Sequence, residues 1–190
     1  GLIITEEHST HPTDWPYEKL IHGFHRDVIP GYKAITEAVH RHGAKIAVQL
    51  NHHGKTAGVD VMEERAQLVP SLPLPPDEVS IEHLTMDELM QLGTATGGKQ
   101  PIRKEATADE LAWVVARFAD AADRAQRAGF DAVEIQAGHG YLLATFLSPK
   151  YNRRTDEYGG AIENRARLMC EVLRAVRARC PELPLVLRLD

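Results

Sequence analysis

Four short apolar segments, separated by helical patterns, constrain the fold of this chain more than any other feature. They are rich in aliphatic and β-branched side chains and cover residues 2–4, 46–50, 132–136 and 185–189. Such runs are typical of buried strands. Because amphipathic segments lie between them, the pattern predicts an α/β fold in which helices cover a parallel sheet.

Three amphipathic patterns predict the helices that connect these strands. They lie within residues 32–42, 107–129 and 161–181. In the first, Ile35 and Val39 belong to the stripe that we expect to be buried. In the second, Thr107 and Glu110 have the spacing of a capping box. Repeated β/α units of this kind favour a (β/α)₈ barrel or an open doubly wound sheet.

The segment between the second strand and the second helix, residues 51–106, interrupts this alternation of strands and helices. It contains many residues that break helices and strands: Pro70, Pro73, Pro75, Pro76, Gly93, Gly97 and Gly98. A long connection inside a compact unit is usually functional. We therefore expect a loop excursion over the strand ends within a single domain, rather than a linker between two domains.

Composition excludes several classes of protein. The chain has 22 basic and 27 acidic residues without a basic block, which predicts no nucleic-acid binding. The apolar runs are too short to cross a membrane, and the first residues lack the pattern of a secretory signal. Cys170 and Cys180 form neither a disulfide framework nor a metal-binding spacing. These features predict a cytoplasmic protein that does not bind membranes.

Long polar side chains occupy the C-terminal halves of three predicted strands. Side chains alternate along a strand, so Gln49, Gln136 and Arg188 lie on the face opposite the aliphatic residues. Burial of such a group without a partner is costly, and ligands of barrel proteins bind where the strands end. The pattern favours a polar ligand, while a buried polar network or a solvated strand end is the structural alternative.

The turn after the third strand places His139 and Tyr141 two residues apart, just beyond Gln136. Imidazole and amide groups can polarise a substrate oxygen, and a phenol can donate a proton. By itself the pair is more typical of side chains that only hydrogen-bond to the backbone.

Several longer motifs resemble the old yellow enzyme family of FMN-dependent NADH:flavin oxidoreductases, which includes ene-reductases and 2,4-dienoyl-CoA reductases. The matching segments are residues 1–6, 49–55, 69–71, 128–143, 146–149, 152–160 and 163–165. The resemblance implies a (β/α)₈ TIM barrel with FMN at its C-terminal mouth, of which this chain supplies about four strands. Residues 1–190 are therefore expected to form an incomplete FMN-binding domain, with the rest of the barrel missing at both ends.

The resemblance also implies roles for individual residues. Gln49 is expected to contact the isoalloxazine ring, and Arg188 to lie near its N1/C2 oxygen side. Gln136 and His139 are expected to hold the substrate oxygen, although the family more often has histidine at the first position. Tyr141 matches the tyrosine that protonates an activated C=C bond after hydride transfer from the flavin, which NADH or NADPH reduces.

Other functions stay open at this point. A dienoyl-CoA reductase-like or amine-demethylating relative fits the same motifs, and an iron–sulfur cluster or FAD would require a further C-terminal region. Histidine pairs such as His52-His53 also suggest a metal-dependent hydrolase, but no metal-binding motif is present, so we predict no metal site. The last alternative is an inactive barrel fragment. The expected partners are a small-molecule substrate and a second copy of the chain.

Overall fold

The computed structural model describes residues 1–74 and 98–190, which fold into helices and parallel strands. In chain order the elements are β1 (Leu2–Ser9), α1 (Val28–His40), β2 (Lys45–Asn51), a 3₁₀ turn (Gly54–Thr56), α2 (Gly58–Met62), β3 (Gln67–Val69), β4 (Arg103–Glu105), α3 (Ala108–Arg127), β5 (Ala132–Gln136), α4 (Leu142–Leu147), α5 (Ile162–Arg165), α6 (Arg167–Arg179) and β6 (Leu185–Arg188). The main sheet has the order β1-β2-β5-β6, and all of its neighbouring strands are parallel. The predicted α/β fold with a parallel sheet is confirmed.

All four predicted strands are present, but β1 is longer than predicted. It continues to Ser9, and its register against β2 shifts between Ile4 and Glu7. A bulge of this kind lets a strand continue while it changes the direction of its side chains. As a result, Glu7 lies opposite Gln49 on the polar face of the sheet.

The first helix begins earlier than predicted and buries a different stripe. Ile35 is 41% exposed, whereas Tyr32 and Thr36 are buried, so the prediction for Ile35 was wrong. Two hydrogen bonds explain why α1 turns Tyr32 and Thr36, rather than Ile35, toward the core. The Thr36 hydroxyl donates to the carbonyl of Ala128 at 2.7 Å, and the Tyr32 hydroxyl lies 2.6 Å from Nδ1 of His8.

The second and third helices follow their sequence signals. The capping box at the start of α3 is confirmed, because the Thr107 hydroxyl accepts from the Glu110 backbone N–H and the Glu110 carboxylate accepts from that of Thr107. The third predicted helix is divided into α5 and α6 at Ala166, and α6 ends before Pro181.

Residues 51–106 contain more regular structure than a loop excursion. The 3₁₀ turn, α2 and the pair β3 and β4 lie in this segment, and the two strands form a small parallel sheet. The side-chain amide of Gln67, in β3, donates to the carbonyl of Ala57 at 2.5 Å and joins this sheet to the start of α2. Pro75, Pro76, Gly93 and Gly97 lie outside the described residues.

The two faces of the main sheet have different neighbours. The aliphatic face packs against α1, α3 and α6 and forms the hydrophobic core, to which the strands contribute Ile46, Val48, Leu50, Val133 and Ile135. The opposite face carries the long polar side chains, as predicted. Both edge strands expose apolar side chains, including Leu2 at 58% and Leu187 at 36%.

Candidate active site

The ends of β5 and β6 bring three of the predicted site residues together. Gln136 and Arg188 are partners in the register of the two strands, and His139 lies between them. Nδ1 of His139 is 3.2 Å from Nε2 of Gln136, and its Nε2 is 3.4 Å from Nη2 of Arg188. Gln136 is buried, whereas the other two side chains are exposed.

The turn that follows β5 fixes the position of His139. The residue has a φ of +57°, and Gly140 follows with a φ of +68°, a conformation that costs least at glycine. The backbone N–H of Gly138 donates to Oε1 of Gln136 at 2.9 Å, and that of His139 donates to Asp190 at 2.6 Å. A Cβ at position 138 would lie 2.8 Å from the Asp190 carboxylate, so a larger residue there would displace that side chain.

Both ring nitrogens of His139 face a donor group, and the shorter contact, 3.2 Å to Gln136 against 3.4 Å to Arg188, favours one tautomer. Because Oε1 of Gln136 accepts from Gly138, its Nε2 is the atom that faces the imidazole, and it can only donate. Nδ1 of His139 is therefore the acceptor, and the ring proton is on its Nε2. An N–H at that position and the guanidinium of Arg188 are both donors, so each can bind an oxygen atom of a ligand.

Tyr141 precedes α4 beside this group. Its ring centroid is 6.0 Å from that of His139 and 4.9 Å from that of His53. Burial raises the pKa of the phenol, and the charges of Glu7 and Asp14 raise it further. The side chain is therefore a neutral proton donor at physiological pH.

Gln49 lies on the same polar face, on the neighbouring strand. It is 5% exposed, and its Nε2 donates to Oε1 of Glu134 at 2.6 Å. Glu134 is its register partner in β5 and precedes Gln136 by two residues, so all three side chains share one face. The structure thus places Gln49 beside the group at the end of β5, with one amide hydrogen already bound within the sheet.

A second polar group, at the ends of β1 and β2, was not identified from the sequence. We call it the Asp14 cluster; its members are Glu7, Ser9, Asp14 and His53. The Asp14 carboxylate accepts from the Ser9 hydroxyl at 2.9 Å and from the His53 backbone N–H at 2.7 Å. It also lies 3.2 Å from Nδ1 of His53, whose Nε2 is 3.5 Å from Glu7.

The charges of the cluster are coupled. Burial by itself would raise the pKa of Asp14, but His52 and His53 lower it. Burial by itself would lower the pKa of His53, but its hydrogen bonds and charge contacts with Asp14 and Glu7 raise it. Asp14 is therefore a carboxylate, and its contact favours the protonated form of His53.

Sequence patterns indicate this cluster only weakly. Its members are up to 46 residues apart in the chain, and His53 suggested a metal-binding pair with His52. Within residues 1–74 and 98–190, no group of three or more histidine, cysteine, aspartate or glutamate side chains could hold a metal ion. His8, which lies in β1 near this cluster, contacts the Tyr32 hydroxyl.

The fold and site together define a class: β/α-barrel proteins with a polar site at the C-terminal ends of parallel strands. Residues 1–189 match the family described as the NADH:flavin oxidoreductase / NADH oxidase family. The chain belongs to this family.

Relatives and solved structures support the assignment. The chain is 37% identical to an NADPH dehydrogenase of Clostridium acetobutylicum, over 100% of its own length and 49% of the relative. It resembles the Old Yellow Enzyme of Pichia sp. AKU4542 with a TM-score of 0.81 and 31% identity, over 100% of this chain and 46% of that one. Its TM-score against morphinone reductase in complex with tetrahydroNAD is 0.79, with 34% identity over 99% of this chain and 50% of that one.

The chain therefore spans about half the length of these proteins. Its four parallel strands correspond to a partial (β/α)₈ barrel, in agreement with the fold expected from the sequence. Among the described residues, the structure contains no helix with the length and apolar character of a membrane span.

Proposed function

We propose that this chain provides the substrate-facing part of an FMN-dependent NAD(P)H oxidoreductase that reduces an activated C=C bond. The observation that carries the proposal is the pair of donors formed by His139 Nε2 and the guanidinium of Arg188, with the Tyr141 phenol beside them. Such donors stabilise negative charge that develops on a substrate or cofactor oxygen. The neutral phenol can protonate the adjacent carbon.

The polar face of the sheet suits a flavin ring. Gln49 and Arg188 offer an amide and a guanidinium there. Asn51 continues the same face, is fully buried, and has no hydrogen-bond partner for either side-chain amide atom among the described residues. Buried amides normally have partners, so these atoms are available to a bound polar group. When FMN is bound, it supplies the two-electron carrier that accepts hydride from NAD(P)H and passes it on.

Within this proposal, the role of Gln136 differs from the direct substrate contact that the family resemblance implies. Its carbonyl oxygen accepts from Gly138, and its amide faces Nδ1 of His139. We therefore assign Gln136 to the positioning of His139, which leaves the imidazole N–H to contact the substrate. Replacement of the usual histidine by glutamine keeps a neutral donor at this position.

The test is the redox behaviour of the purified protein after incubation with FMN. Under anaerobic conditions, NADPH or NADH should bleach the flavin absorbance, and cyclohexenone should restore it. Cyclohexanone, which lacks the C=C bond, is the control and should leave the flavin reduced. A protein that binds no flavin, or that is reoxidised equally by both ketones, would contradict the proposal.

We infer a small-molecule substrate, a cytoplasmic location and assembly into a homo-oligomer. Both cysteines, Cys170 and Cys180, are free thiols. This state is typical of proteins in a reducing compartment.

A further inference from the structure

A cavity of about 330 Å³ lies between the small sheet and the segment that follows α4. The apolar side chains that line it include those of Val69, Pro70 and Pro101. Its charged lining residues are all cations: Lys55, Arg103 and Arg153. Among the described residues, no carboxylate belongs to the lining. We call this space the Lys55 cavity.

Lys55 connects the cavity to the candidate active site. Its Nζ lies 4.7 Å from the centroid of the Tyr151 ring. A Cβ placed on Gly140, in the turn between His139 and Tyr141, would lie 4.0 Å from the same Nζ. A ligand that reaches this ammonium group from the cavity is therefore next to the turn that carries the imidazole donor and the phenol.

The cations of the cavity keep donors that the described part of the chain does not use. Nη1 of Arg103 donates to the carbonyl of Lys55 and to the side chain of Gln67, whereas its Nε and Nη2 bond to no other described residue. Burial lowers the pKa of Arg103, and no described carboxylate opposes this effect. Cations that share a partly buried space repel one another, so an anion is favoured there.

The walls of the cavity favour a carboxylate over a phosphate. Phosphate sites usually depend on backbone N–H groups at helix N-termini or in turns. Pro70, Pro73 and Pro101 line the cavity, and proline has no backbone N–H. Ammonium and guanidinium groups next to apolar walls suit a carboxylate on a short hydrocarbon chain.

We propose that the Lys55 cavity binds a carboxylate of the substrate, which makes acidic α,β-unsaturated ketones the preferred substrate class. The inference rests on the proposed function, in which the alkene of the same molecule lies at His139 and Tyr141. Lys55 is the specificity-determining residue, because its ammonium group lies at the turn that carries both side chains.

The first test uses the protein without flavin, so it can fail independently of the proposed function. Isotope-labelled protein is titrated with 4-oxopentanoate, a saturated keto acid, and NMR follows the side chains of lysine and arginine. Saturable shifts are expected at Lys55 and Arg103, and the methyl ester of the probe should cause none. The inference would be overturned by equal shifts with the ester, by equally strong binding of inorganic phosphate, or by the absence of a saturable shift at Lys55.

The second test uses the FMN-bound protein and compares trans-4-oxopent-2-enoate with its methyl ester as oxidants of the reduced flavin. At subsaturating concentrations, Lys55→Gln should lower the rate constant for the acid about tenfold, which corresponds to the loss of one charge-assisted contact. The rate constant for the neutral ester should stay within about twofold, because only the acid uses the contact. Lys55→Arg, which keeps the charge, should retain the preference for the acid.

Lys150→Gln is the matched control for this test. Lys150 also lies near the Tyr151 ring, with its Nζ 5.7 Å from the centroid, but it does not line the cavity. This variant should change neither rate constant. An unchanged rate for the acid in Lys55→Gln, an equal loss for acid and ester, or an equal loss in both glutamine variants would overturn the inference. If neither compound reoxidised the flavin, the proposed function would fail instead, and the first test would still decide the binding site.

Discussion

The two polar regions at the C-terminal ends of the strands differ in burial and in hydrogen bonding. At the ends of β5 and β6, His139 and Arg188 are exposed, and their facing nitrogen atoms are both donors. In the Asp14 cluster, the carboxylate is fully buried and accepts from two neighbouring residues. The first arrangement is ready to bind an external oxygen atom, whereas the second already satisfies its own groups.

A polar residue at a strand end therefore indicates a ligand only when its hydrogen bonds are incomplete. Glu134 and Gln49 lie between these two cases. Both are buried on the same face as Gln136, and the Gln49 amide donates to the Glu134 carboxylate. The following predictions test whether the cluster holds the fold while the exposed pair holds the ligand.

The largest effect is expected for Asp14→Ala. The change leaves the His53 side chain and the Ser9 hydroxyl without their buried partner, so the free energy of unfolding should fall by about 3–5 kcal/mol. Chemical denaturation measures this value. Asp27→Ala, at an exposed carboxylate that makes no capping hydrogen bond, is the control and should stay close to the parent protein. A loss below ~1 kcal/mol would show that the cluster does not hold the fold.

A pH effect of nearly the same size is expected from His8, which is buried next to the cluster. Burial lowers the pKa of its ring from 6.5 to about 4. Between these values the unfolded chain binds a proton that the folded chain does not, so stability should fall as the pH decreases from 6.5 to 4, by up to about 3 kcal/mol. His8→Asn should reduce the slope in this range, and part of the remaining slope should come from His11, whose pKa burial lowers to about 3.

The matched control for this pH effect is His42→Asn, because His42 lies exposed beyond the end of α1. That variant should keep the slope of the parent protein in denaturation experiments at several pH values. A slope that is unchanged in His8→Asn would mean that the His8 ring is protonated in the folded state.

A catalytic effect without a stability effect is expected for Tyr141→Phe. Flavin reduction by NADPH should stay within about twofold, and reoxidation by cyclohexenone should slow about 100-fold, because only that step uses the phenolic proton. Stopped-flow absorbance separates the two steps. Tyr151→Phe, at a half-buried tyrosine whose ring contacts Lys55, is the control and should leave both rates unchanged. Equal slowing of both steps in Tyr141→Phe would contradict the assigned role.

The smallest effect is expected for Arg188→Ala. Removal of one charge-assisted contact should weaken FMN binding about tenfold, as measured by fluorescence titration, with no change in unfolding free energy beyond ~0.5 kcal/mol. Arg174→Ala, at an exposed position on α6, should change neither quantity. Unchanged FMN affinity in the Arg188 variant would remove this residue from the cofactor site.

The sequence predicted the strands well because they depend on local patterns. Alternation in 132–136 defined β5 and the face of Gln136, and the spacing of Thr107 and Glu110 defined the start of α3. The buried stripe of α1 was predicted wrongly, because it depends on a hydrogen bond from Thr36 to Ala128, 92 residues away. The Asp14 cluster was missed because its members are also far apart in the chain, by up to 46 residues.

Binding of FMN to the polar face of the sheet can be followed by NMR of the side-chain nitrogen groups while isotope-labelled protein is titrated with FMN. The resonances of the Gln49 and Asn51 amides and of the Arg188 guanidinium should shift on binding, while those of the His53 ring should not. Shifts confined to other parts of the molecule, or the absence of any shift at saturating FMN, would contradict binding at this face.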